Sequence, residues 1–250
     1  MPAREHKGIR KPREYFKPLI ECSARTINKH KGKDVQFLVL DRDARPLYQA
    51  MKKADLDAKL VPLTVKLTPY RFGKKMYEKI SQHVDFSSET EHGSKHWLET
   101  NKKKHEKEAA EIMKKHDYFK NHPLTKDLMK HLDKKIDKKK KIIVLDTSFK
   151  GTIAVYLAHL LKKKGFEADW DIVLHNAKPK KLRASFHNTK MLETKTEKAL
   201  KEVEKITDVP GPKKPESQEA KEYERISKAI SDEIAKKIKE KSRKKLFKRK

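Results

Sequence analysis

The chain has 250 residues, 64 Lys and Arg against 36 Asp and Glu, and a formal net charge of +28. Charged residues make up 40% and hydrophobic ones 35%, so part of the length must be solvated helix or tail and not core. No run of about 18 apolar residues exists, which excludes a transmembrane helix. The polar start from Met1 to Lys7 lacks an apolar signal region, and the lone Cys22 excludes an internal disulfide and a cysteine-based zinc site. A reducing cytoplasm is the expected compartment, with Cys22 a buried small residue. The charge excess fits a polyanionic partner such as RNA or DNA, and equally a set of lysine-rich solvated helix faces.

Residues 1–34 read as a basic N-terminal extension in which Tyr15 to Ile20 can anchor on a core and Cys22 to His30 can form a short helix. Val35 to Leu40 is a continuous apolar run of strand length, as expected of a strand covered on both faces. Leu47 to Met51 suits a helix, with Pro46 tolerated in its first turn. A second strand is expected over Lys59 to Leu67. Residues of about 70–140 are rich in Lys and His, with sparse apolar residues at helical spacing, and read as an insertion of two or three amphipathic helices. Lys141 to Asp146 is another strand of the buried type. A turn from Thr147 to Thr152 leads into a nearly all-round apolar helix, which Gly165 caps, and a fourth strand is expected over Asp171 to His175. Strand, turn, helix, Gly and strand in this order form a right-handed parallel βαβ unit. The α/β domain thus spans 35–208. Pro210 to Pro215 is a linker by composition, and 209–250 is expected to be a linker and basic helical tail that packs weakly on the core.

The chemistry concentrates at strand ends. Asp146 closes a buried parallel strand, where ligands of open α/β sheets bind. The turn behind it, Thr147, Ser148, Lys150, Gly151 and Thr152, opens a helix, and backbone N–H groups there with hydroxyls and a glycine make a phosphate cradle. The competing view is that Thr147 or Ser148 caps a core helix and Gly151 permits close packing. On the cradle view, Gly151→Val abolishes phosphate binding while leaving the fold largely intact. Histidines such as His92 and His96 stand four apart, but in exposed lysine-rich surroundings that suit solvated helix faces better than zinc. Trp170 reads as a packing residue, while Tyr15 and Phe16 suit core packing or base stacking.

Phe37-Leu38-Val39-Leu40-Asp41-Arg42-Asp43-Ala44-Arg45-Pro46 resembles the first strand and pyrophosphate loop of type I phosphoribosyltransferases. Val61 to Lys66 is similar to their second strand, and Ile142 to Thr152 to the strand and loop that hold phosphoribosyl pyrophosphate (PRPP). The lysine- and histidine-rich middle falls where that family carries a variable loop. The resemblance implies an α/β fold with a mainly parallel sheet of phosphoribosyltransferase-like topology, a helical insertion and a basic C-terminal helix. It implies that Asp146 holds ribose hydroxyls, with Arg42 and Asp43 beside it in the catalytic set. Thr147, Ser148, Lys150, Gly151 and Thr152 would cradle the 5′-phosphate, and Arg45 and Lys66 would face the pyrophosphate, with Mg²⁺ between. Thr147 stands where the family usually has a second acidic residue, which weakens ribose and Mg²⁺ contact and leaves the backbone cradle intact. The form Asp-Thr-Ser-Phe-Lys-Gly-Thr is closer to a divergent set of phosphoribosyltransferase-like domains that resemble binding proteins more than transferases.

Two alternatives stay open. One is a non-catalytic basic protein that uses this fold to bind RNA or DNA, chiefly through the ten Lys and Arg of residues 236–250 and secondarily through the lysines of 70–140. The other is a haloacid dehalogenase-like phosphatase, because Asp41-Arg42-Asp43 after an apolar strand resembles that family's nucleophile and general acid.

Overall fold

Four short runs of the sequence become four parallel strands, β1 (Val35–Leu40), β2 (Ala58–Val61), β3 (Lys141–Asp146) and β4 (Ala168–Ile172), in the order β2-β1-β3-β4. The computed structural model describes residues 9, 11–40, 44–61, 95–116, 128–130, 132–147, 151–173, 191, 192, 195 and 217–247. Phe37 pairs with Ala58, Val39 with Leu145, and Leu145 in turn with Asp171. The described helices are α1 (Pro12–Tyr15), α2 (Lys17–His30), α3 (Arg45–Lys53), α4 (Lys95–His116), α5 (Thr152–Lys163) and α6 (Gln218–Phe247). None is long and apolar enough to cross a membrane.

The expected α/β class is what the chain adopts, and the four described strands, expected to be mainly parallel, are parallel throughout. β1 and β3 match the apolar runs, and α3 begins at Arg45 with Pro46 in its first turn. β2 is described only as far as Val61, so the rest of the expected second strand lies outside the described residues. The fourth strand is displaced from its expected place. It begins at Ala168, because Asp169 and Asp171 both find cationic partners that make an Asp-Trp-Asp stretch tolerable inside a sheet. Of the expected insertion, one long helix, α4, is described, together with helical residues at 128–130 and 132–133.

The steps from β1 to β2 and from β3 to β4 run in opposite directions across the sheet. Right-handed crossovers therefore place α3 on one face and α5 on the other. α5 ends in a reciprocal cap at Gly165 (φ 85°): the N–H of Gly165 donates to the Lys162 carbonyl and that of Phe166 to the Leu161 carbonyl. α4 lies along α5, whereas α6 packs on α3, α2 and α1.

That placement of α6 corrects the expectation of a loosely attached tail. Its isoleucine stripe, Ile226, Ile230, Ile234 and Ile238, is buried in the one continuous core. Polar bonds fix the helix in register. Ser227 Oγ donates to Gln49 Oε1 at 3.0 Å, and Lys53 Nζ reaches Ser231 Oγ at 2.8 Å and Asp232 Oδ1 at 2.7 Å. A narrow apolar stripe suffices here because α3 and α2 offer it a groove between two helices, where it is covered from both sides.

α2 is tied to the sheet by a buried charge. Asp171, fully buried in β4, accepts from His30 Nε2 at 2.6 Å and Lys29 Nζ at 2.9 Å, while its other oxygen takes the Ile172 N–H at 2.8 Å. Burial alone would raise this carboxyl, but the His30 hydrogen bond and the Lys29 charge outweigh it and hold it well below the ordinary carboxylate range. At the amino end of the sheet, buried Gln36 bridges Asp57 and the Lys135 carbonyl and accepts the Asp137 N–H at 3.0 Å.

Two outcomes test this arrangement. Ile230→Ala should cost about 2–5 kcal/mol of stability, read as a shift in the urea midpoint, where a loosely held tail would show almost none. Because the Asp171 carboxyl is depressed in the folded chain, its contribution is present above its unfolded value near 3.9 and is lost as pH falls below that. The parent should therefore lose stability from about pH 4 downward more steeply than Asp171→Asn. Equal slopes in urea titrations would show that the carboxylate is not held as described.

Candidate functional site

In an open parallel sheet the carboxyl ends of the strands leave a crevice where neighbouring crossovers diverge to opposite faces. Here that point lies between β1 and β3. One residue past the Val39–Leu145 pair, Leu40 and Asp146 end their strands side by side. Asp146 and the following Thr147 are both buried, and each is engaged within the protein, so they form the wall of the strand ends and are not presented to bulk water. Arg45, half-buried and also engaged, is the first residue of α3 and stands just beyond β1. Thr152 is the first residue of α5. Arg42 and Asp43, with Asp41 before them, lie outside the described residues, as do Ser148, Lys150 and Lys66. The fold thus brings Asp146, Thr147, Gly151, Thr152 and Arg45 to one edge.

Gly151 carries the local geometry. It sits in the left-handed region at φ 60°, ψ 12°, and serves as the N-cap of α5 with no side-chain cap among the described residues. Of the two expected cap residues, Thr147 is engaged within the protein and Ser148 lies outside the described residues. The close-packing role is real. A Cβ at 151 would lie 2.2 Å from Ile172 Cδ1 and 3.1 Å from Trp170 Cζ3, both buried in β4. Glycine is thus demanded twice, by backbone conformation and by the neighbouring strand. This corrects the expectation that Gly151→Val would spare the fold, since the branched side chain would strike the core as well as the cradle.

Sequence reasoning missed what stands behind the glycine. Trp170 is a packing residue, as expected, but its ring is also fixed from outside. Its Nε1–H donates to Glu106 Oε1 at 3.0 Å, and Lys102 of α4 donates to both the Trp170 carbonyl (2.7 Å) and the Asp169 carboxylate, with its ammonium 5.3 Å from the indole ring. Burial would raise the Asp169 carboxyl, yet the Lys102 hydrogen bond and charge bring it below its ordinary value. Glu106 also meets Lys162 of α5 at 3.5 Å. The insertion helix is therefore clamped onto β4 at the residue that floors the Gly151 turn. The one signal in the sequence was Asp-Trp-Asp at a position where an apolar run would be ordinary.

No group of three or more potential metal-ligating side chains occurs among the described residues. Asp146 is the one carboxylate at the described strand ends, and it is buried and already engaged within the protein. Mg²⁺ commonly binds through one or two carboxylates, with substrate phosphates and water completing its octahedron, so this donor set suits Mg²⁺ carried with a diphosphate and not a protein-enclosed ion.

Comparisons with known proteins gave no match to a family model, to a curated protein or to a solved structure.

Gly151→Ala should cost about 2–4 kcal/mol, from the left-handed backbone and the collision with Ile172. Ile172→Val removes the Cδ1 atom that the new methyl would meet. The double variant should therefore be more stable than the sum of the two single losses by about 1 kcal/mol or more in urea unfolding. Strict additivity would show that Gly151 and Ile172 are not in the contact described.

Proposed function

We propose that the chain is a phosphoribosyltransferase-like protein that binds a phosphoribosyl or nucleotide phosphate group at the carboxyl edge of its sheet. The observation that carries this reading is the N-terminus of α5 behind a left-handed Gly151, set beside Asp146 where the crossovers diverge. A helix start of this kind offers converging N–H donors and the positive end of the helix dipole to an anion.

In this reading the N–H groups of the turn 147–152 hold the 5′-phosphate, with the Lys150 ammonium adding charge. Asp146 accepts hydrogen bonds from the ribose hydroxyls. Arg42, Asp43, Arg45 and Lys66 face the pyrophosphate side. Mg²⁺, when bound, would offset diphosphate charge, with Asp146 and Asp43 as the carboxylates nearest to it. Transfer chemistry would break the bond between the anomeric carbon and the pyrophosphate oxygen and form a bond from that carbon to an acceptor nitrogen. The single acid before Thr147 favours binding over rapid turnover, since one carboxylate does the work that two share in the family it resembles.

A PRPP titration with Mg²⁺, followed by thermal unfolding, tests the reading. At about a hundred times the dissociation constant the ligand should stabilise the fold by about 2.7 kcal/mol, a rise of about 5–10 °C for a chain of this size. Lys150→Ala should abolish the rise. Asp146→Asn should reduce it for PRPP more than for inorganic phosphate, because the hydroxyl and Mg²⁺ contacts are lost while the backbone cradle remains. No shift at millimolar PRPP in the parent would refute the proposal.

A further inference from the structure

All four strands are parallel, so every loop that enters a strand lies at the edge opposite the candidate site. One of these loops is dense in lysine, and a second follows the lysine-rich end of α5. Residues 134–140 lead into β3, and residues 164–167 lead into β4. They are neighbours, because the Ile142 N–H donates to the Glu167 carbonyl at 2.8 Å.

Some of the lysines here have structural duties. Lys140 pairs with Asp57 at 2.9 Å, Lys141 with Glu167 at 3.5 Å, and Lys162 with Glu106 at 3.5 Å. Lys134, Lys135, Lys138, Lys139, Lys163 and Lys164 do not. All six are exposed, and none joins an ion pair among the described residues. Lys163 and Lys164 complement the C-terminal dipole of α5, and Lys134 and Lys135 directly follow the helical residues 132–133, but no helix end among the described residues accounts for Lys138 and Lys139. That loop is also held rigidly. Lys140 N–H donates to the Asp137 carbonyl at 3.1 Å, Lys141 N–H to the Asp34 carbonyl at 2.9 Å, and Asp137 N–H to Gln36. The ammonium groups are therefore displayed from a fixed backbone.

We propose that this amino-terminal edge docks the phosphate backbone of a nucleic acid, through Lys134, Lys135, Lys138, Lys139, Lys163 and Lys164. The chemistry of the surface selects this partner over others. A membrane-lying surface needs exposed apolar side chains beside its cations, and among the described residues the exposed large hydrophobic is Tyr15, away from these loops. A protein interface needs a desolvated aromatic or aliphatic centre, which the loops do not offer. A rigid row of point charges without apolar anchors suits a regular polyanion bound by counterion release and without base readout. The six residues of β3 separate this edge from Asp146 by roughly 20 Å. A nucleic acid and a phosphoribosyl ligand can therefore bind together, and the surface stands whether or not the proposed function does.

The test is fluorescence anisotropy with a labelled single-stranded oligonucleotide of about 20 nucleotides, at about 50 and 200 mM salt. The combined variant Lys134→Gln, Lys135→Gln, Lys138→Gln and Lys139→Gln should bind about 10–100-fold more weakly at the lower salt and flatten the log–log salt slope by about 2–3. Its thermal midpoint should match that of the parent, because no ion pair among the described residues is removed. A second variant, with Lys244, Lys245, Lys248, Arg249 and Lys250 all changed to Gln, should keep most of the affinity. PRPP should not compete. The proposal is overturned if the parent does not bind the oligonucleotide, if the first variant binds like the parent, or if poly-glutamate binds as tightly as the oligonucleotide, which would favour an acidic protein partner.

Discussion

An all-parallel sheet cannot leave a face to water, and the rest of this chain is arranged around that constraint. Helical crossovers supply one layer on each face, α3 on one and α5 on the other. In a chain with 35% hydrophobic residues these crossovers do not complete the cover. The first layer is extended by α2, from before the sheet, and by α6, from beyond the basic linker, so that both ends of the sequence close over the same face. The second layer is extended by α4, a lysine-rich helix whose Ala109, Ile112 and Met113 are buried even though its other sides are charged. Segments that look dispensable by composition are therefore parts of a single core.

Polar groups enter this core only where they are answered. Asp171 lies in β4 between apolar neighbours, and its carboxylate is matched by His30, Lys29 and a backbone N–H. Asp169, two residues earlier in the same strand, is matched by Lys102 from the opposite helical layer. β4 is thus held from both sides by ion pairs that reach across from α2 and α4. The carboxylates orient these helices more than they add raw stability, since a buried ion pair recovers little beyond its desolvation cost. The same strand also presses against Gly151, so the geometry of the turn after β3 depends on how firmly β4 is held. The path from Lys102 and Glu106 through Trp170 to Gly151 is a chain of direct contacts.

The two edges of the sheet have different chemistry for a topological reason. Parallel strands send all their carboxyl ends, with the starts of α3 and α5, to one edge, where N–H donors and Asp146 collect. They send all their amino ends, with the helix C-termini, to the other, where lysines are favoured by the dipoles and have accumulated beyond that need. The two proposed binding edges are thereby kept apart.

The strands β1 and β3, the helix α5 with its Gly165 cap, and the parallel arrangement were legible because each rests on local information: a run of apolar residues, a period of 3.6, a glycine after a lysine-rich last turn. The candidate edge was legible for the same reason, since a strand ending in Asp146 followed by a glycine-containing turn fixes where ligands of such sheets bind. Other features depended on partners far away in sequence, and local pattern could not show them. The start of β4 at Ala168 requires Lys102 and His30 to neutralise its aspartates. The burial of α6 requires a groove built by α2 and α3. Gly151 looks like a residue left small for a ligand, but its conformation and its contact with Ile172 make it equally a residue left small for the core. Periodicity reports which side of an element is apolar. Which element receives that side, and which charges are then brought together, is decided only when the sheet closes its two faces.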